Sequence, residues 1–289
     1  YMDLYYDRNM KNSTISSVLF TIEEYLSSNS KNNIIREYGK LDKTSDINIH
    51  FGIKSRFKKN TKFRELLMNN YKYNIIIEQG FLNRKKYQSI GINGFSGLSK
   101  IKPTNCQKDR FDKLNINVKD IVINNDGYIL FCGQLPWDSQ VQDINYNQYL
   151  NNIFNQLKKI TLKKIKFRFH PLYKNKKNKK YKINIPEYVE IDQHINLIDS
   201  IKEAFCIISY NSNSLVDSLL EGIPVITLSN ISIIYDITEN DINNINNIYI
   251  PSKKIILQKL YDISYLQYSL DEFRDGTAIK YAKKLIKNN

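Results

Sequence analysis

The sequence predicts an α/β protein of two domains, and three observations carry that prediction. Short apolar runs rich in Ile, Val, Tyr and Phe alternate with longer amphipathic stretches along the 289 residues. Strands alternating with helices make βαβ units, whose parallel sheets are covered on both faces. The runs fall into two groups around a loop-like middle at 93–125, and the chain is long enough for two cores.

In order, residues 14–27 read as a helix, 46–51 as a strand and 62–70 as a helix. A strand at 73–78 then runs into Glu78-Gln79-Gly80. After the middle come a strand at 128–132, a helix at 145–158, a strand at 164–169 and a helix at 195–204. A strand at 206–209, a helix at 212–221 and a strand at 224–228 complete the pattern. Each strand is bounded by Gly, Pro, Asn or Asp, which supply the turns. Two helices follow, 253–263 and 269–286. In the second, Leu270, Phe273, Ala278, Tyr281, Ala282 and Leu285 form a stripe at helical spacing. The Asn/Ile-rich stretch 241–247 reads as a loop of drifted composition. The expected domains are 1–124 and 125–289. The turn Asn124-Asn125-Asp126-Gly127 joins them, and the final helix is free to pack back on the first domain.

Composition excludes several classes. At 42% hydrophobic and 25% charged the chain can build cores and is not a disordered tail. No uncharged apolar stretch reaches the roughly 18 residues a membrane-spanning helix needs. The first residues lack a basic-then-apolar leader, so a cytoplasmic protein is expected. Cys106, Cys132 and Cys206 are far apart, which offers neither a disulfide framework nor a zinc site. No His/Cys/carboxylate cluster has metal spacing, so no metal is expected. Neither GxxxxGK[ST] nor GxGxxG occurs, which argues against a P-loop ATPase and a nicotinamide dehydrogenase.

The formal charge is +14, but Lys outnumbers Arg 35 to 8 and Asn and Ile are abundant, as an AT-rich genome would produce unselected. Position says more. Residues 158–182 hold twelve Lys/Arg and no acid, leaving the rest of the chain close to neutral. A second acid-free run, 54–64, holds six more. These are either solvated faces or polyanion-binding surfaces. Lys54, Arg56, Lys58, Lys59, Arg84, Lys85, Lys174, Lys176 and Lys177 are the candidates for contacting an acidic acceptor or duplex DNA.

Ligands of open α/β sheets bind beyond the carboxyl ends of strands, and those positions carry the chemistry here. The strand at 128–132 ends in Gly133, Gln134, Trp137 and Asp138, candidates for a donor site. A turn with a packed aromatic accounts for the single Trp equally well. Arg168 and His170, two residues apart at the next strand end, can bind a phosphate and protonate a leaving oxygen. Ser209, Asn211, Ser212, Asn213 and Ser214 form a strand–turn–helix whose hydroxyls and N–H groups suit an anion, or simply cap the helix. Glu78, last on its strand before a glycine turn and in the other domain, is a candidate general base. Together these make a two-domain group-transfer enzyme reacting in the interdomain cleft.

These residues resemble the GT-B glycosyltransferases, two Rossmann-like α/β domains facing a cleft. Glu78-Gln79-Gly80 resembles the acidic-x-Gly motif, His170-Pro171 the His-Pro motif, and Ser212-Asn213-Ser214 the Ser/Thr motif of the sialyl- and Kdo-transferase branch. The resemblance implies that Glu78 activates the acceptor, that His170, Ser212 and Ser214 hold the donor phosphate, and that the sugar inverts without a metal. Gln79 stands where that branch usually has a second acid, which leaves the donor open between a UDP-sugar and a CMP-sugar. The stretches IIIEQGFLNRKKYQSIGINGFSG, DRFDKL, FCGQLPWDSQVQ, FRFHPL, SYNSNSLVDSLLEGIPV and YLQYSLDEFRDGTA resemble tailed-phage proteins of glycosyltransferase type. That likeness implies a phage enzyme in the host cytoplasm, moving a sugar from a UDP-sugar to 5-hydroxymethylcytosine in double-stranded DNA. The alternatives are a CMP-sugar-dependent Kdo/sialyl-type transferase of surface polysaccharide and a non-catalytic nucleic-acid-binding protein.

Overall fold

The apolar runs become the strands of two sheets in a computed structural model of the chain. It describes residues 2–6, 13–29, 34–54, 58–138, 140–141, 143–173 and 181–289. In chain order the first elements are β1 (Asp3–Tyr6), α1 (Ser13–Asn29), β2 (Ile34–Glu37), β3 (Ile47–Phe51) and α2 (Lys58–Asn70). Next come β4 (Tyr73–Gln79), β5 (Tyr87–Ile92), α3 (Asp109–Asp112), β6 (Tyr128–Cys132), α4 (Tyr146–Ile160) and β7 (Ile165–Arg168). They are followed by β8 (Glu190–Ile191), α5 (Leu197–Lys202), β9 (Ala204–Ser209), α6 (Ser214–Leu220) and β10 (Val225–Thr227). The last are α7 (Lys253–Ser264), β11 (Gln267–Ser269), α8 (Leu270–Arg274) and α9 (Thr277–Lys287).

One compact unit is Tyr1–Asn115 with Leu260–Asn289, the other Ile116–Lys259. The first holds a sheet in the order β11-β5-β4-β3-β1-β2. Its β2, β1, β3 and β4 run parallel, whereas β5 and β11 are antiparallel to their neighbours. On one face Leu4, Ile49, Ile75 and Ile77 pack with Val18, Ile22 and Leu26 of α1 and Ile279 and Ala282 of α9. A smaller cluster of Tyr5, Phe63, Leu67 and Tyr71 involves α2. The second unit holds an all-parallel sheet, β10-β9-β6-β7-β8. Every residue of β6 and β9 is buried, as a sheet covered on both faces requires. Ile129, Phe131, Phe167 and Ile208 pack against Leu150, Phe154 and Leu157 of α4. Each such aliphatic or aromatic side chain stabilises its unit by about 1.5–3 kcal/mol.

The α/β class is as predicted, with differences in detail. Strands β1, β2, β5, β8 and β11 are absent from the sequence reading. In β5 the buried Gln88 and Ser89 break the apolar signal, and β8 is only two residues long. The helix expected at 269–286 is two helices, because Gly276 adopts φ +79° between them. A Cβ there would stand 2.0 Å from the Tyr25 ring, so the site excludes any other residue. The supposed loop at 241–247 contains a 3-10 turn, Ile242–Asn246, that buries Ile242 and Ile245. The compact units change over at 115/116, not 124/125. Residues 119 and 122 pair with the second unit through Lys119 N–H to the Leu220 carbonyl and Val122 N–H to that of Gly222. Among the described residues no helix is long and apolar enough to cross a membrane.

Candidate functional site

Because β6, β7 and β9 are parallel neighbours, their carboxyl ends share one edge of the second unit. After β6, Gly133 donates its N–H to the Arg168 carbonyl at 2.9 Å. A Cβ at Gly133 would stand 2.3 Å from the Phe167 ring, so packing alone demands glycine there. Gln134 is 7% exposed, and its backbone N–H donates to the Tyr146 hydroxyl at 2.7 Å. Its side-chain amide donates to Asn211, which in turn donates to Gln140, tying the β6 and β9 loops together. Trp137 stacks on Tyr173, with ring centroids 6.1 Å apart, and meets Tyr181 edge-on. Asp138 accepts the Gln140 N–H and closes a turn.

At the end of β7 the two candidates separate. His170 is half-buried, and its Nδ1 accepts the Leu172 N–H at 3.1 Å. A neutral ring then carries its proton on Nε2, as a hydrogen-bond donor. Arg168 engages protein groups. Its guanidinium donates to Asp192 at 2.5 Å, to the carbonyls of His194 and Ile195, and to the Ser200 hydroxyl. It fastens the β8–α5 loop.

The Asp192 side chain is fully buried, and His194 sits between it and Glu203, at 2.7 and 3.3 Å. Burial by itself would raise the Asp192 carboxyl, but hydrogen bonds from Ser200, His194 and Arg168 hold it below its ordinary value. The Asp192 hydrogen bond, with help from Glu203, lifts the His194 imidazole above its ordinary value. The sequence reading missed this cluster. Its only signal was Asp192-x-His194 after Glu190–Ile191, a pair too short to read as a strand.

At the end of β9, Ser209 is buried and its hydroxyl donates to the Cys132 carbonyl at 2.7 Å, tying β9 to β6. The Ser212 hydroxyl accepts from the Ser214 hydroxyl (3.0 Å) and the Ser214 N–H (3.3 Å). Asn213, at the helix cap, makes no side-chain capping bond. The expectation of capping is met by Ser212, one residue earlier. Burial pushes the neighbouring Cys132 thiol up to about 11, which keeps it a neutral core residue.

In the first unit Glu78 is half-buried on β4, paired across the sheet with Ser89. A Cβ on Gly52 would stand 2.8 Å from Arg64 Nη1 and 3.2 Å from Glu78 Oε1. A guanidinium and a carboxylate therefore share the space above that glycine, whose φ of +67° lies in the left-handed region that favours glycine. Arg64 is 6% exposed and is anchored by the Tyr38 hydroxyl (2.9 Å) and the Lys54 carbonyl (2.7 Å). Its place in a basic run disguised it as surface charge. His50 donates from Nδ1 to the Gly52 carbonyl at 2.8 Å; burial and the Arg64 charge lower its pKa to about 3, so it is neutral.

The basic candidates are dispersed. Lys58 and Lys59 are exposed on the first turn of α2, Lys85 is exposed, and Lys54 is partly buried. Arg84 bonds to the Gly80 carbonyl (3.1 Å) and Gln79 (3.0 Å), bracing the turn after Glu78. Arg56, Lys174, Lys176 and Lys177 lie outside the described residues. Among the described residues no group of three or more His, Cys, Asp or Glu could hold a metal.

No protein-family model and no curated protein matches the chain. Among solved structures it is similar to two Kdo transferases of KpsC from Thermosulfurimonas dismutans. The β-Kdo 2,4 transferase aligns with a TM-score of 0.57 and 11% identity over 93% of this chain and 91% of that one. The β-Kdo 2,7 transferase aligns with a TM-score of 0.55 and 13% identity over 96% and 99%. The likeness is one of fold, and the chain has the GT-B-type α/β fold of these glycosyltransferases.

Proposed function

We propose that the chain is a glycosyltransferase of Kdo type, moving an acidic sugar from a CMP-sugar to a saccharide hydroxyl. The observation that carries this reading is a near full-length likeness to Kdo transferases, in a chain whose His170, Ser212 and Ser214 stand at strand ends of its parallel sheet. In the proposed step the acceptor oxygen attacks the anomeric carbon and the bond from that carbon to the phosphate oxygen breaks. The acceptor proton passes to Glu78. Negative charge then gathers on the departing phosphate, where the Nε2–H of His170 and the two serine hydroxyls are suited to receive it. A single displacement of this kind inverts the sugar, so the anomeric configuration of the product, read by NMR, tests it separately.

The direct test incubates the protein with CMP- or UDP-sugars and saccharide acceptors and follows acceptor mass. Gain from a CMP-sugar is expected. Glu78→Gln should lower transfer by roughly 10²–10⁴-fold while leaving nucleotide affinity unchanged. No gain with any donor sinks the reading. A second reading, transfer from a UDP-sugar to hydroxymethylated bases in DNA, is favoured by the exposed Lys58 and Lys59 and the phage-type motifs. Mass gain on hydroxymethylated DNA, and none on glycans, would select it.

A further inference from the structure

The strand starts of the second unit make an edge opposite the strand-end loops, with a character of its own. Segment 119–127 runs along it. Lys119 and Val122 bond to the carbonyls of Leu220 and Gly222, and the Asn124 side chain to that of Glu203 at 3.3 Å. The Lys163 ammonium donates to the Asn125 carbonyl, and Ile129 N–H to the Lys164 carbonyl, which joins the α4–β7 turn to the same edge.

Three apolar side chains project from this edge into water: Leu162 at 106% exposure, Val122 at 68% and Ile123 at 47%. Leu162 stands at the tip of its turn, between Lys158, Lys159, Lys163, Lys164 and Lys166. Shallow depressions of about 560 and 480 Å³ flank it, both lined in part by these lysines. The ammonium groups of Lys158, Lys163 and Lys166 lie 4.2, 4.2 and 3.8 Å from the ring centres of Tyr188, Phe205 and Tyr128. These three ammonium groups therefore sit over aromatic faces, while Lys159 and Lys164 are exposed beside them. Lys164 reaches Glu190 at 3.8 Å; among the described residues no carboxylate pairs with Lys158, Lys159, Lys163 or Lys166. Asp126, Glu190 and Glu203 also border the smaller depression, so the positive excess is concentrated on the turn.

We propose that this edge docks on a bilayer rich in anionic lipids, with Leu162 entering the interface and the lysines facing the headgroups. The pairing of a fully exposed apolar side chain with surrounding lysines decides the partner. A polyanion such as DNA or an acidic glycan would engage the lysines but gain nothing from Leu162, whereas a lipid interface uses both. Parallel strands begin at one edge and end at the other, so docking would leave the strand-end loops facing water. The inference does not depend on the reaction proposed above.

The test is flotation of the full chain with vesicles of phosphatidylcholine and phosphatidylglycerol in equal parts, against phosphatidylcholine alone. Binding to the anionic vesicles only, weakened by salt, is expected. Replacing Lys158, Lys159 and Lys164 together by Gln should weaken it roughly a hundredfold, at about fivefold per lysine. Leu162→Ser should weaken it about tenfold and leave thermal unfolding and any heparin binding unchanged. Failure to float with anionic vesicles overturns the proposal. So does vesicle binding that Leu162→Ser leaves intact while heparin competes for the same lysines, which would make the edge a polyanion site.

Discussion

The two sheets handle buried polarity in opposite ways. In the first unit it lies on the strands: Asp3, Asn48, His50, Asn74, Gln88 and Ser89 are all buried. Their partners come from neighbouring strands and loops, as in the 2.6 Å bond from Asn48 to Asn74 and the bonds to Asp3 from Thr44, Ser45 and Tyr71. In the second unit β6 is apolar and β9 is apolar until Ser209, and polar groups gather past the strand ends, where Gln134, Asp192, Asn211 and Ser212 bond one another or the loops. The central strands β6 and β9 are packed by apolar side chains on both faces, so the polar groups of the second unit gather mainly in its loops. The first sheet accepts polar groups where partners are at hand, as at Asp3 and Asn74, although Asn48 Oδ1, His50 Nε2 and Gln88 Oε1 are buried without a hydrogen bond among the described residues.

If this contrast is right, the largest loss comes from breaking the network on the first sheet. Asp3→Ala should cost about 3–5 kcal/mol in urea unfolding, since it removes the buried acceptor of Thr44, Ser45 and Tyr71 and leaves Arg36 with Asp42 as its carboxylate partner. Asp192→Asn tests the loop-based arrangement. It leaves the Arg168 guanidinium facing a neutral amide, and about 2–3 kcal/mol should be lost. An equal loss from both would erase the distinction between sheet and loop. Gly276→Ala, which forces a left-handed φ and a clash with Tyr25, should cost about 1–3 kcal/mol, read as a lower thermal midpoint.

The smallest effect is one of pH. Asp3 and Asp192 both have folded pKa values below their ordinary ones: burial opposes this, and hydrogen bonds and a nearby arginine overcome it. The stability they contribute is present above about pH 4 and is lost as pH falls through the folded values. His194 is raised, so its contribution is full below about pH 6.5 and is lost as pH rises through its folded value. In thermal unfolding across pH, His194→Gln should remove the decline above pH 6.5 and keep the acid limb. An unchanged alkaline limb would separate His194 from the loop's stability.

The same contrast explains what could be read from the sequence. β6 and β9 are buried apolar runs with clear ends, β10 is short and buried, and β7 alternates buried Ile165 and Phe167 with Lys166 and Arg168; each was legible within two residues. In the first unit β3 and β4 were found, but β5 was hidden by the polar Gln88 and Ser89, which pair with β11 far along the chain. Candidate residues at strand ends could be picked out by position, because that position is local. Their engagements could not. Arg168 is fixed by residues 24 to 32 positions away, Ser209 by a carbonyl 77 positions away, and Arg64 is buried by folding within a run that reads as surface.

The most direct test of glycosyl transfer is nucleotide release from CMP- and UDP-sugars in the presence of a saccharide acceptor, comparing wild type with Glu78→Gln and His170→Ala. Release of CMP by the wild type, with both variants depressed by two orders of magnitude or more, is the predicted result. No release from either donor class, or release that both substitutions leave intact, would contradict it.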